Sequence, residues 1–318
     1  MKILMIGHSG AGKTSFMAGM YKHLGEKGTG YGIHCTNEKQ KKQLSRLVEN
    51  LNHGIYPAGT DVQSIYNFEF TMDGQIIMPF DWVDYRGGAL SATSENDPEL
   101  NNLVKQIRSC DALVVFLDGA KLTSNSWEIE CEYSAVSSCI DQALDKKRKS
   151  WLPISFVITK ADTISSRAKL SGLDYFSTFF EIASNSQIVH AMVSKCAVTT
   201  IKCESTILPL LFSIYGGTPG YIEKCKKEED KSWKSYQNKK PTSFLGKLFA
   251  GVEEVAEDIA SSIDYKYGWT TTNDKARWAH NSWHEKYVLL QRLEKETKKM
   301  KTELLNYQKS NLIRVYGK

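Results

Sequence analysis

Apolar positions along this 318-residue chain fall into short buried runs that alternate with helical stripes. Lys2–Ile6 is an apolar run closed by Gly7, which predicts a buried strand. A helix is expected from about Lys13 to Leu24, then a short strand over Tyr31–Thr36. Asn37 can cap a second helix, with Leu44, Leu47, Val48 and Leu51 on one face, stopping at His53-Gly54. Ser64–Thr71 and Ile76–Val83 read as strands, with Met72-Asp73-Gly74 as the hairpin turn between them. Ala112–Leu117, Ile154–Thr159 and Ile188–Val193 read as buried strands. Helices are expected over about Ser126–Lys146, Leu173–Ser184 and Thr206–Tyr215. Strands that alternate with helices imply an α/β fold, a mainly parallel six-stranded sheet covered on both faces. The single hairpin predicts one antiparallel edge strand.

Composition removes several classes. Hydrophobic residues make up 41%, enough for a sizeable core, and 11% aromatics with 7 Pro exclude collagen-like and disordered chains. The longest apolar runs, such as Ile207–Tyr215, fall well short of the ~20 residues that span a bilayer. The N-terminus lacks the proportions of a signal peptide. Seven cysteines are scattered without CxxC pairs, which reads as reduced thiols in a cytoplasmic protein. The net charge of +5 is unevenly spread. Residues 1–220 hold 21 basic and 22 acidic side chains, whereas residues 221–318 hold 20 and 14. Together with the breaker cluster Gly216-Gly217-Thr218-Pro219-Gly220, this predicts a neutral domain over 1–220 and a basic helical extension over 221–318.

The chemistry concentrates in three segments. Gly7-His8-Ser9-Gly10-Ala11-Gly12-Lys13-Thr14 fits G-x-x-x-x-G-K-[ST] between a strand and a helix, the context of a phosphate loop. Small residues Ser9, Gly10, Ala11 and Gly12 let backbone N–H groups turn towards phosphate oxygens, and Ser15 continues the loop into the helix. The helix offers its positive end to the same anion. Lys13 would reach the outer phosphates and Thr14 would bind Mg²⁺. Asp84-Tyr85-Arg86-Gly87 is a D-x-x-G at a strand end, where Asp84 can hold a Mg²⁺-bound water and the Gly87 N–H can meet a γ-phosphate. Thr159-Lys160-Ala161-Asp162 ends a later strand. A carboxylate there accepts both N1–H and N2–H of guanine, a pair that adenine does not offer, while the Lys160 stem packs on the base.

With these motifs in this order, residues 1–216 resemble the small-GTPase-like P-loop G domains of the translation-factor-related (TRAFAC) class. The resemblance implies GTP and GDP as ligands, Mg²⁺ as cofactor, and hydrolysis of GTP. Val193-Ser194-Lys195 looks like the loop that touches guanine O6, with Lys195 where the family prefers Ala. Thr60, in Tyr56-Pro57-Ala58-Gly59-Thr60, fits the position of the first-switch threonine, so Lys13, Thr60 and Gly87 would act on the γ-phosphate, and Thr14, Thr60 and Asp84 on the metal. The strand and helix within residues 31–52 depart from the ordinary plan. With Asp84-Tyr85-Arg86-Gly87-Gly88 they resemble bacterial double-GTPase-like proteins. Where small GTPases often carry a water-orienting Gln after D-x-x-G, this chain has Gly88, so slow intrinsic hydrolysis is expected.

The extension reads as a solvated linker over 221–240, an amphipathic helix over about 243–263 with an acidic polar face, and a helix over about 281–311. Phosphate contacts alone would support nucleic-acid binding there, and no aromatic-basic motif adds to them. A protein effector or activating partner at the switch loops and the C-terminal helices is the expected partner. Peripheral membrane contact stays open. A nucleotide-binding scaffold with little hydrolysis, or an ATP-dependent P-loop kinase or ATPase, are the alternative functions.

Overall fold

The structure, a computed structural model, describes residues 1–25, 30–58, 63–85, 97–123, 127–144, 152–165, 169–185, 189–199, 203–204, 206–239, 281, 283–284, 287–293, 295–296 and 312–316. Strands are β1 (Lys2–Ile6), β2 (Tyr31–Cys35), β3 (Ser64–Met72), β4 (Gln75–Asp84), β5 (Ala112–Asp118), β6 (Leu152–Thr159), β7 (Val189–Lys195), β8 (Ala197–Val198), β9 (Cys203–Glu204) and β10 (Leu312–Tyr316). Helices are α1 (Lys13–Gly25), α2 (Glu38–Asn52), α3 (Pro98–Ser109), α4 (Gly119–Leu122), α5 (Trp127–Leu144), α6 (Ser177–Asn185) and α7 (Ile207–Lys239).

Among the described residues, eight strands form one sheet in the order β10-β7-β6-β5-β1-β4-β3-β2. The pairs β4–β1, β1–β5, β5–β6 and β6–β7 are parallel. The hairpin β3–β4, the edge pair β2–β3 and the pair β10–β7 are antiparallel. The expected α/β fold with a mainly parallel central sheet is present; among the described residues the sheet has eight strands where six were expected, with antiparallel pairing at both sides. The strand at Tyr31–Cys35 is the outer edge, and the hairpin strand β3 lies inside it. β10 was not foreseen, although its run Leu312-Ile313-Arg314-Val315-Tyr316 is rich in β-branched and aromatic residues. It is placed by pairing Tyr316 with Ala191 and Val315 with Met192.

Every residue of β5 and β6 is buried, as central strands covered on both faces must be. One face carries α3, α5 and α6, packed through Leu103, Ile107, Tyr133, Ile140, Phe176 and Phe179 onto Leu4, Val115, Ile154 and Phe156. On the other, Phe16 of α1 stacks on Trp82 at 6.1 Å and meets the edge of Phe116 at 5.0 Å. Helix α3 was not foreseen, although Asp97 caps it through the Glu99 N–H (2.7 Å) and Pro98 opens its first turn.

The expected break at Gly216–Gly220 is corrected. α7 runs through it from Ile207 to Lys239, so residues 221–239 are helix and not linker. The glycines serve packing: a Cβ on Gly216 would lie 2.6 Å from Pro153 Cβ, and one on Gly217 would lie 3.1 Å from the Asp111 carbonyl. Pro219 lacks an N–H to donate into the helix. Thr218 Oγ1 occupies the neighbouring carbonyl of Ile214 at 2.5 Å.

The chain divides into one unit of Met1–Tyr221 with Lys295–Lys318, and a second of Ile222–Glu294. The division proposed from charge, 1–220 and 221–318, thus differs in where the C-terminal strand belongs. Within the second unit Trp233 and Trp283 lie 4.8 Å apart, Trp283 stacks on Tyr287 at 5.7 Å, and the Trp283 indole N–H donates to Glu229. The expected helix at 243–263 lies outside the described residues. The described residues between 281 and 296 are helical.

Candidate functional site

The phosphate loop leaves β1 at Gly7 and enters α1 at Lys13. Backbone geometry explains its small residues. Gly7 has φ +149°, and a Cβ there would lie 2.7 Å from the Phe116 carbonyl. Gly12 has φ +84°, a conformation that costs a side chain about 1 kcal/mol or more. The loop closes with the Ala11 N–H donating to the His8 carbonyl at 3.1 Å.

A cavity of about 470 Å³ opens beside this loop. Ser9, Gly10, Gly12, Lys13, Thr14 and Ser15 line it from the phosphate loop. Thr159, Lys160, Asp162, Cys196 and Val198 line it as well, with Tyr56, Pro57 and Ala58. Gly7 and Ala11 shape the loop without lining the cavity. The hydroxyl of Thr159 lies 2.9 Å from the Ala11 carbonyl and 3.1 Å from the Leu117 carbonyl. One buried side chain therefore fixes the phosphate loop against the ends of β5 and β6.

Charges in the site are held under stress. Lys13 is 5% exposed, and its ammonium donates to the carbonyls of Gly7 (2.7 Å) and His8 (3.2 Å). Burial lowers its pKa, while Asp84 pulls it back up. Asp84, 2% exposed at the end of β4, is raised from 3.8 to about 6 by burial, against the opposing pull of Lys13 and the Thr14 hydroxyl. Each partner of this opposite-charge pair is pushed towards its neutral form. Desolvation therefore outweighs their mutual attraction. Asp84 Oδ2 accepts from Thr14 Oγ1 at 3.4 Å, and Oδ1 has no hydrogen-bond partner among the described residues. An orphaned carboxylate oxygen beside a threonine hydroxyl is a donor set of hard oxygens, and it suits Mg²⁺. Among the described residues no cluster of three His, Cys, Asp or Glu side chains forms a metal site.

The base-side loop differs from expectation. Ser194 is fully buried, with no hydrogen-bond partner for its Oγ among the described residues, and neither it nor Lys195 lines the cavity. Cys196 and Val198 do. The Cys196 N–H donates to the Ile158 carbonyl at 2.8 Å, and its carbonyl accepts from the Ala161 N–H at 3.1 Å. These residues were missed because the family pattern ends before them. Tyr56 reaches across to the same loop, its hydroxyl 3.4 Å from the Val198 carbonyl. Thr60, Arg86, Gly87 and Gly88 lie outside the described residues.

A second polar group stands behind the phosphate loop and was not foreseen. His8 Nε2 lies 2.9 Å from the Glu132 carbonyl, so this nitrogen carries the proton. Burial lowers the His8 pKa, and the nearby Lys121 and Lys13 charges add to that. Glu132 forms a two-pronged ion pair with Lys121 at 2.7 and 2.8 Å. His8 therefore braces the loop from outside and does not enter the cavity.

No protein-family profile matches the chain, and no curated protein matches it. Solved structures do. The signal recognition particle receptor SRb-GTP/SRX complex from Chaetomium thermophilum is 13% identical with a TM-score of 0.36, over 62% of this chain and 90% of that one. A bacterial selenocysteine-specific elongation factor, EF-Sec, is 13% identical with a TM-score of 0.34, over 65% and 26%. The GTP-bound GTPase-like domain of Ski7 from S. cerevisiae is 12% identical with a TM-score of 0.35, over 62% and 42%. The architecture of this chain's own first unit is that of a P-loop α/β domain: a phosphate loop between β1 and α1, beneath the ends of a largely parallel sheet. No helix among the described residues is long and apolar enough to cross a membrane.

Proposed function

We propose that this protein binds GTP and GDP with Mg²⁺, hydrolyses GTP slowly, and acts as a nucleotide-dependent switch. The observation that carries this reading is the shared cavity. Phosphate-loop residues and Thr159, Lys160 and Asp162 face one space of about 470 Å³, and Thr159 ties the two segments together. That space suits a nucleotide, with phosphates over the loop amides and Lys13 and a base towards Asp162. A carboxylate at the base end favours guanine over adenine, because only guanine presents two adjacent N–H donors to it.

Lys13 and the loop amides would neutralise phosphate charge. Bound phosphate would also relieve Lys13, whose ammonium now turns back onto loop carbonyls. Thr14 and Asp84 would hold Mg²⁺, which when bound supplies charge neutralisation at the phosphate oxygens. Gly88, in place of a water-orienting side chain, supports slow turnover. Thr60 and Gly87 are proposed as the γ-phosphate sensors whose release on hydrolysis gives the switch. A protein partner would read those loops and the C-terminal helices.

Thermal stability in GTP, GDP and ATP, each with Mg²⁺, tests the reading. A ligand at 100 times its dissociation constant adds about 2.7 kcal/mol. GTP and GDP should stabilise and ATP should not, and Asp162→Asn should remove the guanine preference. Stabilisation by ATP above GTP would overturn the guanine assignment. Single-turnover hydrolysis without partners should run near ~10⁻⁴–10⁻³ s⁻¹. Binding with no turnover would instead support the scaffold reading.

A further inference from the structure

Lys160 stands in the cavity wall in an unusual conformation. Its φ of +52° places it in the left-handed region, and its side chain remains 44% exposed. A long, half-exposed lysine would ordinarily sample many rotamers and give a bound base no fixed surface. Here it is held. Its ammonium lies 2.6 Å from Asp118 Oδ2, and the Asp118 side chain is only 10% exposed.

Asp118 is itself anchored at two further points. Its Oδ1 accepts the Ala120 N–H at 3.0 Å, capping the short helix α4, and its backbone carbonyl accepts the Tyr133 hydroxyl at 3.2 Å. Asp118 is also the last residue of β5, paired with Thr159 in the parallel register of β5 and β6. The carboxylate is thus fixed relative to the strand end that carries Lys160.

We infer that Asp118 is a positioning residue, which clamps the Lys160 ammonium so that the lysine stem lies along the base end of the cavity and sets affinity for the nucleoside half of the ligand. The inference rests on the nucleotide reading above. Its signature is selective: the base half of the ligand should feel the loss of the clamp and the phosphate half should not. The Asp118 carboxylate lies near His8, Ser9 and Ala11 but is bonded to Lys160 and the Ala120 N–H. Removing its charge therefore frees Lys160 and leaves the Thr159 and Lys13 hydrogen bonds of the phosphate loop in place.

Asp118→Asn is the informative variant, since an asparagine oxygen still caps α4 while the charge is lost. Binding of GDP and of inorganic triphosphate, which has no base, is measured for wild type, Asp118→Asn, Lys160→Met and the double variant. Asp118→Asn should weaken GDP roughly tenfold, the scale of one charge-assisted hydrogen bond. Inorganic triphosphate should bind all four proteins alike. The double variant should be no weaker for GDP than Lys160→Met alone, because the aspartate acts through that lysine. Unchanged GDP affinity in Asp118→Asn, equal losses for GDP and triphosphate, or multiplying effects in the double variant would each overturn the clamp. NMR of ¹³C-methylated lysines in the nucleotide-free protein tests it independently. The Lys160 resonance, assigned by its loss in Lys160→Met, should move to the position of freely solvated lysines in Asp118→Asn, and an unmoved signal overturns the clamp. A wild type that binds no guanine nucleotide would sink the guanine reading, and the NMR result would then decide the clamp alone.

Discussion

Replacing Asp84 with asparagine should stabilise the empty protein while impairing the loaded one. The carboxyl is 2% exposed, and its pKa is raised from 3.8 to about 6. The sign follows from linkage. The unfolded chain releases this proton near pH 3.8 and the folded chain only near 6, so between those values the unfolded state holds fewer protons. The group therefore costs almost no stability below pH ~4, an increasing amount as pH rises to about 6, and a constant amount above that. A shift of about two units corresponds to at most ~3 kcal/mol, at 1.36 kcal/mol per unit. Local relaxation and Lys13, which loses its counter-charge in the variant, will take part of that back. Urea unfolding in a chelator and without nucleotide, at pH 4.5 and pH 7.5, reads the effect. Asp84→Asn should gain about 1–3 kcal/mol over wild type at pH 7.5 and about a third of that gain at pH 4.5. It should also lose the Mg²⁺-dependent part of any stabilisation by GDP. A variant less stable than wild type at pH 7.5 would refute the reasoning, because the carboxylate would then be a net source of stability.

Two further substitutions probe the frame of the site. Thr159→Val keeps shape but removes the single hydroxyl proton that lies between the Ala11 and Leu117 carbonyls, so a loss of about 1–3 kcal/mol in urea unfolding is expected, with weaker nucleotide binding. An unchanged midpoint would remove Thr159 as the tie between loop and strand. Gly216→Ala should lower the melting temperature although alanine favours helix by about 1 kcal/mol. Its Cβ would sit 2.6 Å from Pro153 Cβ and 3.0 Å from Cγ, on a ring that cannot swing away, and overpacking costs about 1–3 kcal/mol. A rise in melting temperature would show that α7 has room to move.

The alternation of β1, β5, β6 and β7 with helices was readable from the sequence, because fully buried parallel strands are continuous apolar runs. So was the phosphate loop, whose glycines answer a local backbone demand, and Thr159-Lys160-Ala161-Asp162 was readable as a candidate base loop from residue types at a strand end. Helix α3 was overlooked despite a sequence signal, the Asp97-Pro98 start. β10 was overlooked too, although Leu312-Ile313-Arg314-Val315-Tyr316 is rich in β-branched and aromatic residues; only its place beside β7 is tertiary. Other features left no local trace. The Gly216–Gly220 stretch carries every mark of a break, yet it is helical because tight packing on Pro153 and Asp111 outweighs propensity. Cys196 and Val198 reach the cavity through the turn after β7, and His8 turns outward to Glu132. The chain alone determined which candidate motifs are present, since backbone turns and strand periods are local properties. Tertiary structure decided which atoms meet: the stress on Lys13 and Asp84, the tie through Thr159 and the Asp118–Lys160 pair all depend on burial and on distances between residues far apart in sequence.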